Sequence, residues 1–205
     1  MKINRAIRTL IVSDLFLNSG WGLLGPVFAI FLVQNIQGGD AKVAGFAAMI
    51  YWTVKSILQI PIGKYLDKNH GEKDDFYFMV LGTFLIGFVP FGYLFSSLPW
   101  HIYVFQVVQS IGMAMIIPSW SAIFTRHIDK GKEAFEWGLD STILGFGTGI
   151  TGAIGGLLVV VFGFKVLFIL VGTFTFLAAL LLVFIWKEIT PRDKIFPRIP
   201  PIRQF

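Results

Sequence analysis

Lys55 stands in the middle of a largely apolar run, residues 43–66, and is the residue in this sequence with the clearest need of a chemical explanation. An unpaired cation near the centre of a bilayer costs at least ~2.5 kcal/mol. Lys55 must therefore bind an anionic solute group, exchange a proton, snorkel, or sit in a fixed pair, for instance with Asp14. Asp14 itself reads either as a protonatable coupling group or as a residue close to the membrane surface. Asn18, Gln59, Gln106 and Gln109 are neutral amides inside apolar runs; they suit solute binding or interhelical hydrogen bonds equally well. Trp21 and Trp52 lie at mid-depth, away from the interfaces where tryptophan anchors, and read as a cavity wall or as packing. Together Lys55, Asn18, Trp21, Trp52, Gln59, Gln106, Gln109 and Asp14 make a candidate solute-binding and coupling set, with Lys55 favouring an anionic solute.

Other chemistries find no residues. His70, His101 and His127 fall on different loops or helix ends and make no ligand cluster, so no metal or cofactor is expected. No nucleophile elbow, zinc-protease helix or phosphate-cradling glycine loop occurs, so the chain does not read as an enzyme. It has no cysteine and hence no disulfide framework.

The elements that position the set follow from hydropathy. Of 205 residues 55% are hydrophobic and 14% charged, against about 25% charged in a soluble domain. Six apolar stretches, 10–33, 43–66, 76–96, 101–124, 139–162 and 164–186, carry between them five charges: Asp14, Lys55, Lys64, Asp140 and Lys165. A helix needs about 20 apolar residues to cross ~30 Å of hydrocarbon, and each stretch is long enough. The spacing thus predicts an all-α integral membrane protein with six transmembrane helices. Alternation over segments of about ten residues, the mark of a transmembrane barrel, is missing from these runs. Lys2, Arg5 and Arg8 precede the first run, but Asp14 interrupts it and no small-x-small cleavage site follows, so it reads as a retained helix.

With the N-terminus inside, only Lys42 and Lys165 fall on outer segments and Lys55 falls within a helix, leaving fourteen of the 17 basic residues on inner segments. This predicts a multi-pass protein of the cell membrane with both termini cytoplasmic. The net charge of +5 then faces anionic lipid rather than nucleic acid.

Fragments also repeat. Leu81-Gly82-Thr83-Phe84 returns as Val171-Gly172-Thr173-Phe174, and the run from Pro26 to Phe31 is echoed from Pro118 to Phe124. A repeat of three helices reverses direction in the membrane, which predicts 3+3 inverted repeats with a solute site between them. Polar faces on helices 1, 2, 4 and 5 would line a cavity, and the charge-free helices 3 and 6 read as lipid-facing. Gly145, Gly149, Gly152 and Gly156 form a small-residue stripe suited to close helix packing.

The run Gly63-Lys64-Tyr65-Leu66-Asp67-Lys68-Asn69-His70-Gly71-Glu72-Lys73 resembles the G-x-x-x-D-R/K-x-G-R/K motif of the major facilitator superfamily, with one inserted residue. Gln106 to Ala114 is similar to that family's R-x-x-Q-G-x-G-x-A motif, with Gln106 in place of the arginine and Ser110 in place of the first glycine. Gly147 to Gly156 resembles its antiporter motif without the proline, and Gly163-Phe164-Lys165 resembles the opening of its sixth helix. The resemblance implies half of the family fold: a six-helix domain over residues 1–189, followed by a basic, proline-containing cytoplasmic tail over 190–205. It implies a secondary transporter moving a small solute by alternating access, with a homodimer or a second six-helix half as partner. It assigns Gly63, Asp67, Lys68, Gly71 and Lys73 to a conformational gate; a solvated loop that only fixes topology is the plainer reading. The alternative to transport is a non-transporting membrane subunit or a truncated remnant of a 12-helix transporter.

Overall fold

Apolar side chains all round a segment favour helix in lipid, because every backbone N–H and C=O must be satisfied within the segment. The structure, a computed structural model, describes residues 3–69 and 71–186, and these form helices joined by short turns. The expected tail over 190–205 lies outside the described residues, as does His70. Helix α1 spans Arg5–Leu24 and a 3-10 turn Gly25–Val27 leads into α2, Phe28–Asn35. Then come α3 (Ala41–Asn69), α4 (Glu72–Leu94), α5 (Pro99–His127) and α6 (Glu133–Val183). Five helical segments are long and apolar enough to cross a membrane, with α1 and α2 counted together.

The helices overrun the apolar stretches at most of their ends, since a helix does not stop where the hydrocarbon does. Polar residues finish them. The Asn4 side chain accepts from the Ala6 N–H at 3.1 Å, and the Asp40 carboxylate accepts from the Val43 N–H at 2.9 Å. At the start of α5 the His101 ring nitrogen Nδ1 accepts from the Ser97 and Leu98 N–H groups, and Pro99 occupies the first turn, where its missing N–H costs nothing.

Three expected helices differ in form. The first, expected unbroken over 10–33, tightens into the 3-10 turn at Gly25–Val27, because Pro26 lacks a donor and its ring clashes with the preceding turn. The fifth and sixth are one element of 51 residues with a backbone break at Gly163, φ 76° and ψ 175°, a conformation essentially reserved for glycine. Unbent, 51 residues would extend ~76 Å, more than twice the hydrocarbon thickness. The contacts with α1 show what the break does. Gly147, Thr151 and Gly155 meet Leu15, Gly22 and Leu23 in rising order. Beyond the break, Ala178 accepts from the Ser13 hydroxyl, Val171 and Phe174 meet Gly20, and Phe164 and Phe168 pack on Phe31, in falling order. The limbs 133–162 and 164–183 therefore run in opposite directions along α1 and its continuation α2.

Helix α4 packs between α5 and the second limb, through Gly82 against Gly112 and Phe91 against Gly172. Helix α4 lines no part of the larger cavity between the other helices and keeps Leu81 and Phe88 exposed on its other side. Half of α4's most apolar window is buried, against 17% for α3, which carries Lys55. Absence of charge marks a helix that never meets water, whether lipid or protein surrounds it. Buried aromatic and aliphatic side chains fill both ends of the bundle, with Phe31, Tyr93 and Phe168 at one end and Phe76, Ile123 and Phe124 at the other.

Candidate functional site

Between α1, α3, α5 and the first limb of α6 the bundle leaves a cavity of ≈ 360 Å³, lined among others by Asp14, Asn18, Trp21, Tyr51, Gln109, Met113 and Trp120. A smaller one of ≈ 230 Å³ adjoins it, lined by residues including Trp21, Tyr51, Trp52, Tyr93, Gln106 and Gln109. Trp21, Tyr51 and Gln109 belong to both. The larger volume falls within the ~300–1,000 Å³ usual for small-molecule sites, and its lining is mostly apolar with a few convergent polar groups.

Each helix supplies its residues by turn spacing. Asp14, Asn18 and Trp21 succeed one another on one face of α1, as do Gln109, Met113 and Ile117 on α5. On α3 the facing residues are Ala44, Ala48 and Tyr51, so the cavities end about one turn short of Lys55.

Lys55 consequently lines neither cavity. It is 8% exposed, and its ammonium sits 3.7 Å from the Trp52 ring centroid and 5.2 Å from that of Tyr51. Two cation–π contacts cover it. No carboxylate among the described residues pairs with it, so a fixed Asp14–Lys55 pair, one of the readings open for Lys55, is not formed. The expectation of an anionic solute rested on Lys55 facing the cavity, and its placement removes that support. Gln59, one turn farther on, also lines neither cavity.

The other amides divide between structure and cavity. The Asn18 amide donates to the Asp14 carboxylate and to its carbonyl, both at 2.9 Å. Gln106 donates to the Tyr93 hydroxyl at 3.2 Å. Gln109 has no hydrogen bond within the described residues and stays open to both cavities. The indole N–H groups of Trp21 and Trp120 are buried and without acceptors among the described residues. Trp120, Tyr51 and Leu144 went unremarked in the sequence, although Trp120 continues the face of Gln109, Met113 and Ile116.

At the bundle end nearer the N-terminus, polar groups tie helices together. Asp75 and Arg126 form an ion pair between α4 and α5, with the Asp75 side chain fully buried. The Asn4 amide donates to the His127 carbonyl, and the His127 ring lies 3.5 Å from Glu72. In the following loop Lys132 pairs with Asp129 at 2.7 Å, and that contact raises the Lys132 pKa. Gly63, Asp67, Lys68, Gly71 and Lys73 lie along the end of α3 and the start of α4. Gly63 faces Pro118 of α5, Gly71 is the residue before α4, and Asp67, Lys68 and Lys73 are exposed. Asp67 is close enough to Asp75 to repel it electrostatically.

The glycine stripe of the first limb is displaced from where spacing suggested. Close approaches to α1 are made at Gly147, Thr151 and Gly155, with Gly152 against Pro26. Gly145, Gly149 and Gly156 have no neighbour within 4 Å of where a Cβ would stand. At ~100° per residue, 145 and 147 lie on nearly opposite sides of one helix.

The profile of the Major Facilitator Superfamily matches residues 10–203. The multi-drug resistance efflux pump PmrA of Streptococcus pneumoniae is 30% identical over 183 residues, which cover 85% of this chain and 44% of that protein. A PmrA homolog of Lactococcus lactis is 26% identical, covering 84% of this chain and 42% of its own. Among solved structures, the POT family transporter PepTSo superposes with a TM-score of 0.66 at 14% identity, over 92% of this chain and 39% of that one, a likeness of fold. The chain spans less than half the length of each of these proteins.

Proposed function

The chain belongs to the major facilitator superfamily of membrane transporters, and we propose that it works as one six-helix half of a secondary transporter, carrying a small solute by alternating access together with a second half. The observation that carries this reading is the ≈ 360 Å³ cavity, walled by helices from both halves of the chain and furnished with Asp14, Asn18 and Gln109. Its position between α1 and α5 is where inverted triplets would hold a solute. The reversal at Gly163 supports counting the limbs of α6 as separate crossings, which brings the total to six in a 3+3 arrangement.

Pairing is supported by what the chain leaves uncovered. Helix α3 is only 17% buried over its most apolar window, and the chain matches 44% of PmrA. A second copy or a second six-helix half would cover α3 and close the cavity on that side. Asp67, Lys68 and Lys73 are exposed beside the buried Asp75–Arg126 pair, a site from which charge attraction at a partly dry interface can latch a facing half. With the basic loops inside, this latch is cytoplasmic and both termini are as well.

Reconstitution tests the proposal. Proteoliposomes holding the chain, supplied with a panel of cationic, anionic and neutral dyes, should show saturable flux of at least one dye class, and Asp67→Asn should lower that flux while leaving solute binding in place. Flux no faster than in protein-free vesicles, from a chain that stays strictly monomeric in bilayers, would instead identify a non-transporting subunit or remnant.

A further inference from the structure

Two opposite charges stand uncompensated in the membrane-spanning part of this chain. Lys55 of α3 is buried and has no carboxylate paired with it among the described residues. Asp14 of α1 has no lysine or arginine paired with it, and its carboxylate accepts from the neutral Asn18 amide. Ionised side chains within a membrane are costly and normally pair with one another. Within one copy these two do not meet, because Lys55 lies over Trp52 while Asp14 lines the larger cavity, which Lys55 does not border.

Their depths nevertheless match. Trp21 of α1 and Tyr51 of α3 border both cavities and so mark a common level. Asp14 precedes Trp21 by seven residues and Lys55 follows Tyr51 by four, on helices that succeed each other in opposite directions. At the rise of a helix these residues lie about 10 Å and about 6 Å from that level, on the same side of it. The remaining difference of about 4 Å is less than the reach of a lysine side chain.

The chain also has an open side. α3 packs on α5 through Gly63 and Pro118, and the first limb of α6 packs on α1 through Gly155 and Leu23, but α3 and α6 share no packed interface. The two helices that flank this gap are uncovered: Phe46, Met49 and Trp52 are exposed on α3, as are Phe146, Ile150 and Leu157 on α6. Trp52, whose ring covers the Lys55 ammonium, is 59% exposed, so the charge lies directly beneath the uncovered face of α3. A two-fold axis along the membrane normal keeps each residue at its own depth and makes every contact occur twice.

We propose that the partner of this chain is a second copy of it, held by two equivalent ion pairs, Lys55 of each copy with Asp14 of the partner subunit. Asp140, the other carboxylate of the apolar stretches, borders neither cavity and is not part of this contact. The assignment rests on the reading that two halves work together, but it is measured without flux.

Chains labelled through Lys130→Cys with donor or acceptor dyes are reconstituted in phosphatidylcholine liposomes, and energy transfer is followed against protein-to-lipid ratio. The otherwise unchanged chain should pair saturably. Asp14→Lys alone or Lys55→Asp alone sets like charges at both contacts and should weaken pairing at least ~10-fold. Mixing the two variants restores opposite charges across the interface and should bring pairing back to within ~3-fold of the unchanged chain, a repair that a pair inside one chain does not permit. Monomers at every density, as a partner of unlike sequence would leave them, pairing indifferent to either single variant, or no recovery in a mixture of folded variants would each overturn the proposal. Dicyclohexylcarbodiimide gives a measurement without variants, since it condenses a carboxylate with an adjacent amine. Mass spectrometry of the treated chain should find a dimer with Asp14 joined to Lys55, and a link confined to monomers, or none, would overturn the proposal even if the variants fail to fold. Recovery on mixing without any flux would remove the transport reading and leave this one standing; flux that appears only when a different six-helix half is added would do the reverse.

Discussion

Gln106 donates from Nε2 to the Tyr93 hydroxyl at 3.2 Å, joining α5 to α4 at the edge of the smaller cavity. Tyr93 is 1% exposed and surrounded by the rings of Phe28, Phe31, Phe105 and Phe168, none of which can accept its proton or donate to it conventionally. An amide whose sequence position suited solute binding is therefore committed to the fold. Removing one partner leaves the other buried and unsatisfied, so Gln106→Leu should cost about 1–3 kcal/mol. Combining it with Tyr93→Phe removes both polar ends and should restore most of the loss. Thermal unfolding in detergent, followed by circular dichroism for both singles and the double variant, reads the difference. A double variant no more stable than Gln106→Leu would contradict the pairing.

The buried Asp75 carboxylate has Arg126 as its ion-pair partner, and one of its oxygens has no hydrogen bond among the described residues. Arg126→Ala should destabilise by about 2 kcal/mol, below the figure for a fully buried pair because the guanidinium is partly exposed. Asp75→Asn in the Arg126→Ala background should recover stability, since the stranded charge is then gone. Denaturant titration in mild detergent makes the comparison, and an additive double variant would argue that the two side chains do not interact.

Glycines on opposite sides of the first limb of α6 should respond oppositely. A Cβ at Gly155 would collide with the Leu23 carbonyl, whereas one at Gly149 meets open space. Gly155→Ala is expected to cost about 1–3 kcal/mol through strain between α1 and α6. Gly149→Ala should be neutral or slightly stabilising, by up to ~1 kcal/mol, because alanine loses less backbone entropy in a helix. Melting temperatures of the two variants, measured side by side, decide which side of this limb packs on α1; equal losses at both positions would contradict the assignment of Gly155 to the packed side.

The absence of cysteine makes topology directly measurable, because any introduced thiol is unique. Lys165→Cys, just beyond Gly163, should react with a membrane-impermeant maleimide on intact cells, as should Lys42→Cys. Lys130→Cys should react only after permeabilisation. Protection of Lys165→Cys on intact cells would mean that the break at Gly163 does not mark an outer turn, and that six crossings is the wrong count.

Much of the molecule can be read from composition and spacing, because whether a segment prefers lipid is a sum over its own side chains. The run 43–66 needs no neighbour to be helical and membrane-spanning, and the Gly63-to-Lys73 motif carries the family resemblance in eleven consecutive residues. Asp14, Asn18, Trp21 and Gln109 could be picked out for the same reason: polar or mid-depth aromatic groups on one helical face are conspicuous against an apolar background.

Tertiary structure alone decided how those helices are turned and where the empty space ends. Both glycine stripes of α6 are present in the sequence, and only the rotation of that limb against α1 selects Gly147, Thr151 and Gly155 over Gly145, Gly149 and Gly156. Lys55 shares a face with Tyr51, yet it lies one turn past the point where α3 borders the cavities and is covered by its own neighbour Trp52. Depth in a membrane is fixed by counting residues along one helix, whereas a cavity is bounded by several helices at once, and their crossing and register depend on side chains far apart in the chain.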